Sequence, residues 1–118
     1  MTQLTELTIS QALEKLRSGE ITALQLTRAY LDQIERLDPS IRAYLTVSAD
    51  AQAADQARAA GDDRPLLGIP LAVKDVLSTR DIETTCGSKI LKGYKPVFDA
   101  TVVQRLAAAG MVLLGKTN

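Results

Sequence analysis

The chain has 118 residues, enough for one hydrophobic core, and its 14 lysines and arginines balance 14 aspartates and glutamates. No net charge therefore attracts it to nucleic acid or membrane, and a polyanionic partner would need a local basic patch or another subunit. One cysteine and no histidine exclude an internal disulfide, a four-ligand zinc site and Ser-His-Asp catalysis. Without a signal peptide or a membrane-length apolar run, we expect a soluble, cytoplasmic protein with no membrane contact.

Two helix starts near the amino terminus share one four-residue pattern. Thr8–Gln11 and Thr22–Gln25 both match a capping box, and apolar residues at helical spacing follow each of them. The first helix is expected to end near Gly19. The second is expected to end at Asp38-Pro39, because the residue before a proline is disfavoured in a helix.

The next segment is predicted to be a short strand followed by an alanine-rich helix. Residues 41–47 have the β-branched and aromatic content of a strand. Ser48 is expected to cap a helix that runs to about Ala60 and lies on the surface, because its faces carry mostly Ala and Gln. The polar segment 62–65 is the clearest linker. We therefore expect an amino-terminal helical layer with one short strand over 1–64 and an α/β core over 65–118.

The second part is predicted to alternate strand, loop, helix and strand. The expected elements are a buried strand over 66–73, a loop over 77–94 with one helical turn near 88–91, a helix over 100–109 capped by Asp99 and followed by Gly110, and a buried strand over 111–114. This order predicts a parallel strand pair. Two parallel strands cannot cover their own edges, so we expect the amino-terminal part of a larger fold.

Lys74 is the first candidate for chemistry. It follows the apolar run 68–73, which would deliver it to the carboxyl end of a strand, where open α/β sheets bind their ligands. A lysine whose stem packs among apolar side chains is partly desolvated, which favours its neutral, basic form. From the residues alone, a solvated lysine beside Asp75 stays an open alternative.

Residues 110–117 match the pattern G-x-x-x-x-G-K-[ST] of a phosphate-binding loop. Such a loop follows a strand, wraps phosphate with backbone N–H groups and opens a helix. Here Gly110 is predicted to end a helix, and the four middle residues are large and apolar. We therefore expect a strand at this position and regard the nucleotide-binding match as accidental.

Cys86 and Ser88 are nucleophile types within the predicted loop. Either would need an activating base, and the sequence has no histidine to supply one. We expect both to have roles in the loop itself.

Several motifs together resemble the amidase-signature family. Residues 65–75, with the sequence PLLGIPLAVKD, resemble the lysine motif of that family. Residues 85–88, 99–103 and 110–118 are also similar, in the family's order and at family-like spacing. The resemblance extends from about Leu7 over essentially the whole chain. It implies an α/β fold, the amino-terminal part of the amidase-signature fold, with helices packed on an incomplete mixed sheet.

The resemblance also implies a catalytic triad of serine, cis-serine and lysine. Lys74 matches the lysine, which acts as base and acid through the bridging serine, so no histidine is required. Both serines belong to a later glycine- and serine-rich segment that this sequence does not contain. No serine here matches them, and we expect the 118 residues alone to be inactive.

Within the family, residues 83–96 most resemble the glutamine-hydrolysing chains of tRNA-dependent amidotransferases. That resemblance implies hydrolysis of glutamine, with the ammonia converting Glu-tRNA(Gln) to Gln-tRNA(Gln) for protein biosynthesis. It further implies a B subunit that uses ATP and Mg²⁺, a C subunit, tRNA binding mainly by these partners, and no cofactor on this chain. The alternatives are an amidase-signature hydrolase of another amide and a catalytically inert module.

Overall fold

The computed structural model describes residues 3–118 and shows helices together with a small mixed sheet. The expected α/β class is therefore confirmed. In chain order the elements are a 3₁₀ turn Leu4–Glu6, α1 Ile9–Ser18, α2 Ala23–Ile41, β1 Tyr44–Val47, α3 Gln52–Ala59, β2 Pro70–Lys74, a 3₁₀ turn Lys89–Leu91, α4 Thr101–Ala108 and β3 Val112–Thr117.

Both predicted capping boxes are present. The Thr8 side chain accepts a hydrogen bond from the Gln11 backbone N–H, and the Gln11 side chain accepts one from the Thr8 N–H. Thr22 and Gln25 repeat the arrangement at the start of α2. Gly19 ends α1 in the left-handed conformation, with a φ of 80°. The first helix therefore begins and ends where the sequence predicts.

The end of α2 differs from the prediction, because the helix continues through Pro39 to Ile41. Proline removes a single N–H donor, and near the end of a helix that loss is small. Asp38 secures the last turn instead. Its carbonyl accepts a hydrogen bond from the Arg42 N–H at 2.6 Å, and its carboxylate accepts one from the Ala43 N–H at 2.8 Å.

The helix after β1 begins later than predicted. Its N-cap is Ala51, without a side-chain hydrogen bond, so the prediction that Ser48 caps this helix is wrong. The Ser48 N–H donates to the Leu114 carbonyl at 3.0 Å and so prolongs the contact of β1 with β3. The helix is also less superficial than expected, because Ala51 and Ala54 are buried in the core.

The sheet has the order β1-β3-β2, so β3 is the central strand. It runs parallel to β2, as the sequence predicts, and antiparallel to β1. The predicted buried strand over 66–73 is wrong in its bounds and in its burial. Residues 65–68 form a turn, and β2 is an edge strand that begins at Pro70, with Val73 as its only buried residue. In contrast, β3 is longer than predicted and extends to Thr117.

The start of α4 also differs from the prediction. Asp99 does not cap this helix, whose N-cap is Ala100 without a side-chain hydrogen bond. The Asp99 carboxylate instead accepts a hydrogen bond from the Arg80 backbone N–H at 2.7 Å and so ties the preceding loop to α4. At the other end Gly110 has a φ of 98°, and a Cβ there would lie 2.8 Å from the Leu67 Cα.

The hydrophobic core joins the two parts of the chain. Its members include Leu16 and Leu26 from the first two helices, and Leu67, Ile69 and Val112 from later segments. The division into 1–64 and 65–118 stays a prediction. Within residues 3–118, no helix combines the length and the hydrophobicity needed to cross a membrane.

Candidate functional site

Lys74 is the last residue of β2 and lies opposite Thr117 of the central strand. The structure therefore places it at the carboxyl end of an edge strand, as the apolar run before it predicts. Its side chain is exposed, and within residues 3–118 its amine takes part in no hydrogen bond or ion pair. The exposure agrees with the solvated alternative. Its role as a base stays a prediction.

The next residue, Asp75, is buried and faces a second lysine, Lys116, that no solvent reaches. The Lys116 amine lies 3.5 Å from the Asp75 Oδ1 atom. It also donates to the Leu77 carbonyl at 2.8 Å and to the Thr84 Oγ1 atom at 3.0 Å. The sequence-based prediction missed this pair, because it ended the strand at 114 and considered Lys116 only as part of a phosphate-loop pattern.

Burial and hydrogen bonding act in opposite directions on Asp75. Burial by itself raises the pKa of this carboxyl group. Hydrogen bonds from the Thr85 hydroxyl and from the Thr85 and Gly87 backbone N–H groups, together with the charge of Lys116, outweigh burial and hold the pKa below its ordinary value. For Lys116, burial lowers the pKa of the amine, and the Asp75 carboxylate offsets part of that effect.

Asp75 also organises the loop that contains Cys86 and Ser88. Its Oδ2 atom accepts hydrogen bonds from the Thr85 N–H at 2.9 Å and from the Thr85 hydroxyl, and its carbonyl accepts one from the Cys86 N–H at 3.1 Å. Cys86 is exposed with a φ of 55°. Ser88 caps the short 3₁₀ turn by accepting from the Ile90 N–H at 3.2 Å. Ser88 thus has a role within the loop, as expected.

A shallow cleft of about 280 Å³ borders this loop. Asp75, Thr85 and Ser88 contribute to its wall, together with Leu45 of β1. Lys74 is not among its lining residues, so the cleft does not present a substrate to that amine.

The segment 110–117 does not have the geometry of a phosphate-binding loop. Residues 112–117 form β3, and Lys116 is buried beneath the loop instead of being available to a phosphate. The segment therefore does not fit a nucleotide, and the match to the motif is accidental. Among the described residues, no three Asp, Glu or Cys side chains lie close enough together to hold a metal ion.

Comparisons with known proteins agree with the motifs around Lys74. The sequence profile of the family described as Amidase matches residues 25–118. The A chain of the glutamyl-tRNA(Gln) amidotransferase of Roseiflexus sp. (strain RS-1) is 56% identical over an alignment that covers 100% of this chain and 25% of that protein. The chain thus spans about a quarter of the length of the curated relatives it matches.

Solved structures give the same fold. The peptide amidase from Stenotrophomonas maltophilia superposes with a TM-score of 0.90 at 39% identity, covering 96% of this chain and 25% of that one. The corresponding glutamyl-tRNA(Gln) amidotransferase chain of Thermotoga maritima superposes with a TM-score of 0.71 at 35% identity, covering 100% of this chain and 24% of that one. The fold, the motif that carries Lys74 and the profile match over residues 25–118 together show that the chain belongs to the amidase family.

Proposed function

We propose that this chain is the amino-terminal quarter of an amide hydrolase in which Lys74 is the catalytic base. The observation that carries the proposal is the position of Lys74. It is the last residue of β2, at the sheet edge where α/β enzymes bind ligands, within the segment that the amidase profile matches. Its amine is exposed and so is accessible to a reacting group.

In the proposed mechanism, the neutral Lys74 amine takes a proton from a bridging serine. That serine takes the proton of the nucleophilic serine, which attacks the amide carbonyl and forms an acyl-enzyme. Lys74 then returns the proton through the bridging serine to the leaving nitrogen, and water hydrolyses the ester. We place both serines and the oxyanion hole in the part of the relatives' length that this chain does not span.

The proposed substrate is the side-chain amide of glutamine. The relatives named as glutamine-dependent glutamyl-tRNA(Gln) amidotransferase chains are 50–56% identical along this chain, which supports release of ammonia for the conversion of Glu-tRNA(Gln) to Gln-tRNA(Gln). By the same resemblance, the partners would be B and C subunits in the cytoplasm. ATP and Mg²⁺ would be used on the B subunit, since residues 110–117 do not fit a nucleotide.

A second candidate is hydrolysis of a different amide without partners. It is favoured by the superposition on the peptide amidase, which is higher than that on the Thermotoga maritima amidotransferase chain, with TM-scores of 0.90 and 0.71. The two candidates share Lys74 and differ in substrate. Ammonia release from free glutamine in the presence of the partner subunits favours the first, and release from peptide amides without them favours the second.

The test of Lys74 uses the full-length protein with its partner subunits. Lys74→Ala should lower glutamine hydrolysis at least about 10⁴-fold, because the members of a triad act as a unit. The matched control is Lys95→Ala, an exposed lysine of the neighbouring loop, which should leave turnover unchanged. Near-normal turnover by Lys74→Ala, in a folded protein, would show that Lys74 is not the base. Glutaminase activity of residues 1–118 alone would contradict our placement of the serines.

A further inference from the structure

Lys116 is a buried cation that the proposed mechanism does not use. Its side chain has 0% exposure, and Asp75 beside it has 3%. Burying a charge is costly unless hydrogen bonds and a counter-charge replace the lost water. An amine retained at such a position calls for a physical role.

Lys116 cannot itself act on a substrate. Its amine is directed at three acceptors, the Leu77 carbonyl, the Thr84 hydroxyl oxygen and the Asp75 carboxylate, at 2.8, 3.0 and 3.5 Å. The Thr84 hydroxyl donates its own proton to the Ile82 carbonyl, so its oxygen is free to accept from the amine. With every donor engaged and no solvent access, this amine neither takes a proton from a substrate nor touches one.

The three acceptors all belong to the backbone segment that immediately follows Lys74. Leu77 and Thr84 lie near the two ends of the loop that leaves β2, and Asp75 joins that loop to the strand. The Asp75 N–H also donates to the Thr117 carbonyl at 2.7 Å. A single side chain of the central strand therefore holds the loop on both sides, one residue beyond Lys74.

The register of the sheet makes this connection short. Lys116 lies opposite Val73, and its neighbour Thr117 lies opposite Lys74. Lys74 itself has no side-chain partner within residues 3–118, so within that range the direction of its amine depends on the backbone around it. The backbone on its carboxyl side is the part that Lys116 and Asp75 fix.

We infer that Lys116 is a positioning residue for Lys74, acting through Asp75 and the loop 75–86 to fix the direction in which the Lys74 amine leaves the sheet. The inference rests on the proposed function of Lys74 and goes beyond it. It assigns the buried pair to catalysis, whereas a purely structural role would affect folding alone.

The decisive variant removes both buried charges together, as Asp75→Asn with Lys116→Met in the full-length protein with its partners. Replacing both members of a buried pair avoids leaving one charge unpaired, so the protein should fold with a melting temperature near that of the wild type. We expect kcat to fall about 100-fold, because a displacement of about 1 Å at a catalytic group costs that much. KM should stay within about twofold, because only the transition state needs the base.

Thr84 provides an independent, milder variant. Thr84→Val keeps the shape of the side chain and the ion pair but removes one acceptor of the Lys116 amine. It should lower kcat with little effect on KM, and Thr84→Ser, which restores the hydroxyl, should return kcat to the wild-type value. A purely structural role predicts that any recovery in the serine variant follows the melting temperature instead.

The matched control neutralises an exposed pair, with Lys15→Met and Glu20→Gln, whose charged atoms lie 3.1 Å apart on the surface. This control should leave kcat unchanged. If Lys74→Ala is inactive while the folded double variant keeps its kcat, the positioning role is overturned and the proposed function stands. If Lys74→Ala stays active, the proposed function fails and the inference fails with it. If the double variant does not fold, unchanged kcat in Thr84→Val overturns the positioning role.

Discussion

Four ion pairs occur among residues 3–118, and they differ in how much water reaches them. Lys15–Glu20, Arg64–Asp62 and Arg80–Asp81 have at least one partner that is well exposed, and pairs of that kind contribute about 0–1 kcal/mol. Removing one partner of a buried pair such as Asp75–Lys116 costs about 3–5 kcal/mol. The buried pair is therefore where charge matters for stability.

The lowered pKa of Asp75 predicts a specific loss of stability in acid. Its pKa when folded lies below the ordinary value of about 3.9, so its contribution is fully present above that value and disappears as pH falls through the folded pKa. Burial lowers the pKa of Lys116, and that effect operates on the alkaline side, up to about pH 10.4. We expect the free energy of unfolding, from urea titrations, to decline below about pH 4 in the wild-type chain and less steeply in Asp75→Asn.

The control for this prediction is Asp62→Asn. Hydrogen bonding from the Arg64 backbone N–H lowers the pKa of Asp62 as well, but that carboxylate lies at the surface. Its replacement should leave the acid slope close to that of the wild type. Equal slopes in the wild type and Asp75→Asn would contradict the assignment of the acid loss to Asp75.

At the scale of the elements, α2 depends on a carboxylate that belongs to α3. Asp55 accepts hydrogen bonds from the Ala23 and Leu24 backbone N–H groups, at 2.7 and 3.0 Å, at the first turn of α2. Asp55→Ala should therefore lower the free energy of unfolding by about 1–2 kcal/mol, the usual cost of losing an N-terminal cap. Urea denaturation followed by circular dichroism would measure the change.

Asp32→Ala is the comparison for Asp55, because it removes a carboxylate from α2 that makes no such bond. It should change stability by no more than about 0.5 kcal/mol. Equal losses in the two variants would mean that the cap supplied by Asp55 adds nothing beyond the Thr22 capping box.

These contacts also show which parts of the fold the sequence could predict. The capping boxes at Thr8 and Thr22 join atoms three residues apart, so their pattern is complete within a short window. The bonds of Ser48, Asp55 and Asp99 go to distant partners. Each of these three side chains is a good cap in isolation, and nothing in its local sequence says which helix, if any, it serves.

The candidate site divides in the same way. The apolar run before Lys74 predicts a strand end, and the structure has one there. The edge position of β2 depends on which strand lies in the centre, a non-local property of the sheet. The burial of Lys116 depends on the loop that folds over it from Leu77 to Thr84, and no periodicity in the sequence encodes that contact.

For the whole molecule, the core predicts how the chain unfolds. Leu26 and Leu16 share one cluster with Leu67 and Val112, so residues on both sides of the predicted boundary at 64 are buried together. We expect residues 1–118 to unfold in one cooperative transition, with circular dichroism and tyrosine fluorescence giving the same midpoint. Leu26→Ala should shift that single midpoint by the equivalent of about 2–5 kcal/mol.

Leu24→Ala, which truncates an exposed side chain of the same helix, should shift the midpoint far less. Two separate transitions, with only the first sensitive to Leu26→Ala, would show instead that 1–64 and 65–118 fold independently.

The central place of β3 in the sheet has a consequence for biosynthesis. Both β1 and β2 pair only with β3, which is the last of the three strands to be translated. While residues 48–111 emerge from the ribosome, at about 5–20 residues per second, the first two strands have no partner. For a period on the order of seconds the nascent chain therefore presents open strand edges, and that interval is when it is most prone to aggregate and most dependent on chaperones.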